Sequence, residues 1–189
     1  MKFFTFCYLL VAILILHSCA TAKGLTRASD KDVAVLKPAV LNGIYENVLP
    51  DDPENSLWQD LHANVKFKRI APSSHESQVQ VELVDEKTLR AHLIIAGERL
   101  ESLELKGRIK NDYFVANRKF FIMPLILLNF YQDHKTIIGN LPNGDLHLVQ
   151  SKKSEFFLIG GEGDTDSETI NADYQRIDTT QVQILKKSL

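Results

Sequence analysis

The chain reads as an all-β protein, an antiparallel meander closing as a barrel or half-open barrel, with one short helix near residues 56–62. Three observations predict this. From Asn64 onward, apolar residues alternate with polar ones at period two, the pattern of strands with one buried face. Turn residues interrupt the alternation at intervals of roughly 8–13 residues, which gives about nine or ten short strands. The connections are hairpin-length, whereas parallel strands need long crossovers that the few helical stretches cannot supply. A meander this long closes as a barrel or folds into a sandwich, because a flat sheet would leave long edges exposed.

The β domain spans residues 41–178 and opens with Leu41 to Asn47, where Gly43-Ile44-Tyr45 suits an entering strand. Pro50 to Asn55 is dense in turn residues and ends it. Asn55 or Ser56 then caps the helix, in which Leu57, Trp58 and Leu61 share one apolar face. Val65, Phe67 and Ile70 suggest a strand broken at Ala71-Pro72. Val79, Val81 and Leu83 alternate with polar neighbours, and Asp85-Glu86-Lys87 reverses the chain into Leu89, Ala91, Leu93 and Ile95. After Gly97-Glu98, Leu103, Leu105 and Gly107 fall on one face, and Asn111-Asp112 is a tight hairpin turn.

Tyr113 to Val115 and Phe120 to Tyr131 form the most apolar part of the chain beyond its first residues. The second run lacks clean alternation, so both of its faces are expected to be covered. Pro124 cannot donate to a ladder and implies an edge, a bulge or a break. The run is too short to span a bilayer as a helix. Thr136 to Ile138, the Asn143-Gly144 turn, Leu146 to Val149 and Glu155 to Ile159 continue the meander. Asn171 to Ile177 looks like the closing strand, and residues 179–189 are a mostly polar tail.

The chain's first nineteen residues carry an address. Lys2 precedes an apolar run from Phe3 to Leu16, which has the proportions of a signal-peptide core rather than a spanning helix. It runs into Leu16-His17-Ser18-Cys19, which resembles the lipobox of bacterial lipoproteins. That resemblance implies a signal peptide over residues 1–18, cleavage before Cys19, diacylglyceryl attachment to its thiol and acylation of the new amine. Two or more acyl chains hold a protein stably on a membrane. The expected location is the bacterial cell envelope, facing the periplasm, with the membrane undecided between inner and outer. Residues 19–40 mix small, charged and a few apolar residues without a sustained period, and read as the lipidated N-terminus and tether. Cys7 would leave with the signal and Cys19 would be a thioether, so no disulfide is expected despite export.

Gly43-Ile44-Tyr45, the meander and a basic residue in the last strand also resemble the lipocalin pattern. That family opens with Gly-x-Trp and packs a late Arg or Lys on the aromatic, so Tyr45 stands for the Trp and Arg176 for the partner. The whole chain is similar to small uncharacterised bacterial lipoproteins of this architecture, which implies no assigned activity.

The remaining chemistry is sparse. Of 189 residues, 22 are Lys or Arg and 24 are Asp or Glu, and the formal charge of −2 offers no electrostatic case for nucleic acid or an anionic membrane surface. His62, His75, His92, His134 and His147 fall in separate turns and strands without metal-ligand spacing, and the polar phase of a strand accounts for His92 and His147 as solvated groups. Gly160 to Glu168 is an acidic connection without the order of a calcium loop, and Asp51-Asp52-Glu54 reads as an acidic turn. There is no Gly-x-Ser-x-Gly elbow, so no catalytic residue, metal or cofactor is expected. The expected function is a non-catalytic, membrane-anchored lipoprotein. A barrel of about eight strands either fills with side chains or holds one small ligand. A lipophilic ligand would meet Tyr113, Phe114, Phe121 and Trp58. The alternative is a filled domain that binds another envelope protein through its surface or an edge strand.

Overall fold

Period-two alternation becomes an extended antiparallel ladder. In the computed structural model of the chain, the described residues are 24–26, 29, 31–49, 52–65, 77–124, 128–158 and 164–177. Its strands are β1 Gly43–Glu46, β2 Val48–Leu49, β3 Asp52–Ser56, β4 Ser77–Asp85, β5 Thr88–Ile95, β6 Glu98–Lys110, β7 Tyr113–Ala116, β8 Lys119–Pro124, β9 Leu128–Asn140, β10 Leu146–Leu158, β11 Asp164–Tyr174 and β12 Arg176–Ile177. Among the described residues, helix α1 Pro38–Leu41 precedes β1 and helix α2 Leu57–Ala63 lies between β3 and β4. The sheet order is β11-β10-β9-β7-β6-β5-β4-β1-β12, with β8 beside β9 off this path and β2–β3 paired apart.

The structure is thus mostly antiparallel sheet, as the alternation predicts, but the ladder is not a closed barrel among the described residues. β11 pairs with β10 and β12 with β1, and only Gln175 separates β11 from β12 in the chain. The link between the two ends of the order is covalent, with the Gln175 carbonyl accepting from Glu46 N–H at 2.9 Å. A second departure from a plain meander lies at β9. One end of that strand pairs with β7 through Phe114↔Ile138, and the other pairs with β8 through Lys119↔His134 to Pro124↔Asn129. Pro124 is the last residue of β8, which pairs with β9 alone among the described strands, an edge position where proline is tolerated.

Alternate residues of the strands face one core. Tyr45, Val79, Val81, Leu83, Leu89, Ala91, Leu103, Leu105, Phe114, Ile138, Leu146, Leu148 and Tyr174 are buried in a single cluster. Helix α2 adds Leu57, Trp58 and Leu61 to it, so the face predicted for the helix is the one that packs. Three of the helix's leading N–H groups find acceptors. Ser56 Oγ accepts from Gln59 N–H at 3.3 Å, Asn47 Oδ1 from Trp58 N–H at 2.8 Å, and the Asn47 carbonyl from Leu57 N–H at 2.8 Å. Asn47 is itself buried and donates to Ser77 Oγ at 2.8 Å. The helix start is therefore built by Asn47, the residue between β1 and β2, which its own sequence window does not contain.

Three expectations change. Residues 31–41, read as tether and domain entry, lie on the sheet, with Leu36 and Leu41 buried in the core and Leu25 against the outer face. Ala34 N–H donates to the Asn140 carbonyl at 2.8 Å, which docks the segment beside β9. The described part of the acidic connection, Asp164 to Glu168, is strand β11 paired with β10, because the long β10 offers it a full ladder. Asp52 to Ser56 is strand β3 rather than turn. The strand expected at Phe67 and Ile70, the lipobox and the tail over 179–189 lie outside the described residues.

Candidate functional site

The four aromatics expected to line a ligand cavity do not converge. Trp58 and Phe114 belong to the main core and are 2% and 0% exposed. Tyr113, the next residue along β7, points to the opposite face and packs with Leu25, Ile137 and Val149 in a second cluster. Phe121 is 40% exposed, with its ring 6.5 Å from that of Phe130. The pleat explains the split between residues 113 and 114, since successive side chains leave opposite faces.

The second cluster carries the most concentrated polar geometry. Ser29 Oγ lies 2.6 Å from Tyr113 Oη and 3.0 Å from His147 Nε2, and His147 Nδ1 lies 2.7 Å from Asp173 Oδ1. Lys31 pairs with the same carboxylate. Asp173 accepts as a carboxylate, so His147 Nδ1–H donates to it. In the neutral ring Nε2 then accepts from Ser29, whose oxygen accepts from Tyr113. Burial would raise the Asp173 carboxyl, but Lys31 and His147 together hold it below the usual carboxylate range.

The connectivity is that of a Ser-His-Asp triad. Its serine is shielded from solvent. Ser29 is 1% exposed, and the Tyr113 hydroxyl and the His147 ring already engage its oxygen. Acyl transfer needs room for a carbonyl beside oxyanion donors. What this arrangement does is clasp the N-terminal segment to the sheet. Ser29 was legible only as part of a tether, and His147 as a solvated strand residue. His147 is instead completely buried, because Leu25, Ser29 and Val33 come to the face it projects from. Leu25, Val33 and Leu36 were the available signal, apolar residues that a free tether does not require.

Removing one partner from a buried pair leaves the other unsatisfied, at a cost of about 1–3 kcal/mol. Ser29→Ala and Tyr113→Phe are each expected to lower stability by about 1 kcal/mol. Hydrogen exchange at Ala34 and neighbouring amides should accelerate while the β4–β5 amides keep their protection. Equal acceleration in both places would mean the segment is not a separately held unit.

A second polar seam joins α2 to the inner face of β9 and β10. Asp60 is buried and meets Lys152 Nζ at 3.2 Å and the donating Tyr174 hydroxyl at 3.2 Å. Gln150 Nε2 donates to the Asp60 carbonyl at 2.9 Å and to Thr136 Oγ1 at 2.8 Å, and Thr136 donates to Asn64 Oδ1 at 2.9 Å. Burial pushes the Asp60 carboxyl up, against the pull of Lys152.

Asp133 shows the opposite balance. Burial would raise it, yet Arg118 and Lys135 hold it low, with Arg118 Nε at 2.6 Å and Lys135 Nζ at 2.9 Å. A lowered carboxylate contributes stability above its unfolded pKa, and that contribution is lost as pH falls through the folded value. The urea midpoint of the protein should therefore decline below the ordinary aspartate range. In Asp133→Asn the neutral-pH midpoint drops and the acid decline becomes shallower. An unchanged acid limb in that variant would show that Asp133 does not carry it.

At the entry to the domain, Arg176 is the register partner of Tyr45. Its guanidinium donates to the Val40 and Asn42 carbonyls at 2.9 and 2.8 Å and lies over Gly43, where a Cβ would come within 3.0 Å of Nε. Tyr45 donates to the Leu41 carbonyl at 2.7 Å. A groove of about 300 Å³ opens between Asn64-Val65, β6 and the β7–β8 link, lined by Glu104, Lys106, Arg118 and Lys119. Its cations are committed. Arg118 is on Asp133 and Tyr131, Lys106 lies 3.5 Å from Glu104, and Lys119 donates to the Val65 carbonyl.

Compared with known proteins, the chain matches no protein-family model, no curated protein and no solved structure at a significant level.

Proposed function

We propose that this is a lipid-anchored, non-catalytic component of the bacterial cell envelope, whose β domain has a filled interior and works through its surface. The observation that carries the reading is helix α2. Leu57, Trp58 and Leu61 occupy the face of the sheet where a lipocalin-like barrel would keep its ligand, and all three are buried with Phe114 and Tyr174. A filled core leaves surface and edges as the working parts. Two features support a barrel-like wrapping of the sheet around that core, the covalent return of β11 into β12 beside β1 and the placement of Arg176 opposite Tyr45. The anchor rests on Leu16-His17-Ser18-Cys19 after an apolar run. Its expected partners are the membrane, through Cys19, and another envelope protein.

Native mass spectrometry of the protein purified gently from its own host tests the reading. The expected result is an acyl-bearing Cys19 and no further bound mass, with no shift on adding lipophilic probes. A co-purifying small molecule lost on denaturation would overturn the filled interior in favour of a carrier of a lipophilic ligand. An unmodified Cys19 would overturn the anchor.

A further inference from the structure

We infer that the exposed half of strand β11 is a docking edge, to which another protein adds an extended segment carrying Lys or Arg at alternate positions. The inference deepens the surface-binding reading above and rests on it. β11 spans Asp164–Tyr174 and stands at one end of the sheet order. Its six leading residues, Asp164 to Thr169, are all exposed, on one face of the pleat as on the other. At about 3.4 Å per residue they offer roughly 20 Å of strand. Alternate residues of an antiparallel edge strand direct N–H and C=O away from the neighbour already paired, which is where an added strand bonds.

The sheet treats its other borders differently. The opposite end of the order is β12, only Arg176–Ile177, and the Arg176 guanidinium turns back onto the Val40 and Asn42 carbonyls. β8 pairs with β9 alone among the described strands and ends on Pro124. Short length, proline, lysine and bulges are the usual means of keeping an edge from pairing. β11 uses none of them. It is 11 residues long, contains no Pro, Gly, Lys or Arg, and holds one register with β10 from Leu146↔Tyr174 to Phe156↔Asp164. The β4–β5 and β5–β6 pairs, by contrast, each shift register.

Charge selects what this edge accepts. Asp164, Asp166 and Glu168 occupy one face of the strand, and Thr165, Ser167 and Thr169 the other. Lys152 lies 3.9 Å from Glu168 and is shared with Asp60, whereas Asp164 and Asp166 stand opposite the uncharged Phe156 and Ser154. Directly opposed residues of an antiparallel pair share a face. A two-fold pairing of β11 with a second copy, centred on any residue from Asp164 to Glu168, therefore sets carboxylate against carboxylate. That repulsion rejects the chain's own edge. A strand with Lys or Arg at every second position meets the same stripe favourably, and Thr or Val between them suits the hydroxyl face.

Fluorescence anisotropy tests this with the full mature chain, made without acyl groups, and a labelled peptide of alternating lysine and threonine. A length of about six residues matches the exposed run. The peptide should bind, and its glutamate–threonine counterpart should not. A lysine–threonine peptide methylated on its backbone amides keeps the charge but loses the main-chain donors, and should bind far more weakly. Asp164→Asn with Asp166→Asn should weaken binding by roughly threefold to tenfold. Amide exchange over residues 164–169 should slow in the complex. Equal binding by the methylated peptide would reduce the effect to charge attraction and overturn the edge, as would no binding at all. A wild-type dimer that excludes the peptide would assign the edge to a second copy. Binding that appears only in Lys186→Glu with Lys187→Glu would assign it to the chain's own segment around those residues. A lipophilic ligand found by native mass spectrometry would overturn the filled interior and leave the peptide result to judge the edge. A bare native mass without peptide binding would remove the edge and leave the filled domain standing.

Discussion

Trp58→Ala is expected to cost about 3–5 kcal/mol, the range for removing a large aromatic from a packed core. Trp58 is 2% exposed and belongs to the cluster that joins α2 to β1, β4, β5, β6, β7, β9, β10 and β11. The cavity left by the indole would be lined by strands that cannot collapse inward without breaking their ladders. A protein of this size shifts its melting temperature by about 2–4 °C per kcal/mol, so a fall on the order of 10 °C is expected. Trp58→Phe should lose far less, since the indole N–H has no hydrogen-bond partner among the described residues. Thermal unfolding by circular dichroism separates the two. If Trp58→Ala melted within a degree or two of the wild type, α2 would not be the plug of this core. The same variant probes function: opening space behind Phe114 should let a lipophilic probe bind a domain that otherwise takes none.

Gly107→Ala carries the second large effect, about 1–3 kcal/mol by the usual cost of overpacking, with Gly107→Val beyond it. A Cβ at this position would sit 2.4 Å from the Val115 carbonyl oxygen and 2.7 Å from Phe114 Cζ. The backbone oxygen cannot yield without disturbing the ladder, and the ring is held in the core. The reason for the squeeze is a change of neighbour. β6 pairs with β5 as far as Lys106, and from Gly107 it pairs with β7. The chain turns a corner of the sheet there, a place where a strand glycine is characteristic. In an ordinary strand, replacing glycine with alanine would help slightly. Chemical unfolding of Gly107→Ala alone and with Phe114→Leu tests the steric cause: relieving the ring should recover part of the loss and leave the carbonyl's share. A neutral or stabilising Gly107→Ala would overturn it.

Much of the fold was legible because strands and turns are local. The alternation at Val79-Val81-Leu83 and Leu89-Ala91-Leu93 matches the buried faces of β4 and β5. Ser56 stands at the cap of α2, and Leu57, Trp58 and Leu61 form its packed face. The polar clasp was illegible. Ser29 and His147 are 118 residues apart, and neither lies in a pattern that sets it off from a tether or a solvated strand.

By itself, then, the sequence determined the class of structure, the antiparallel strands with most of their turns, the apolar face of helix α2 and the resemblance to a lipid-anchored export signal. All of these depend on neighbours within a few positions, where periodicity, turn chemistry and motif spacing act directly. Only the tertiary structure decided which surfaces are covered. It docked residues 31–41 onto the sheet, buried His147 under Ser29, packed α2 into the core and left Phe121 and Phe157 exposed at the end of the ladder. Burial is a property of what arrives from elsewhere in the chain. An apolar residue looks the same in sequence whether a helix, a distant segment or a membrane comes to meet it.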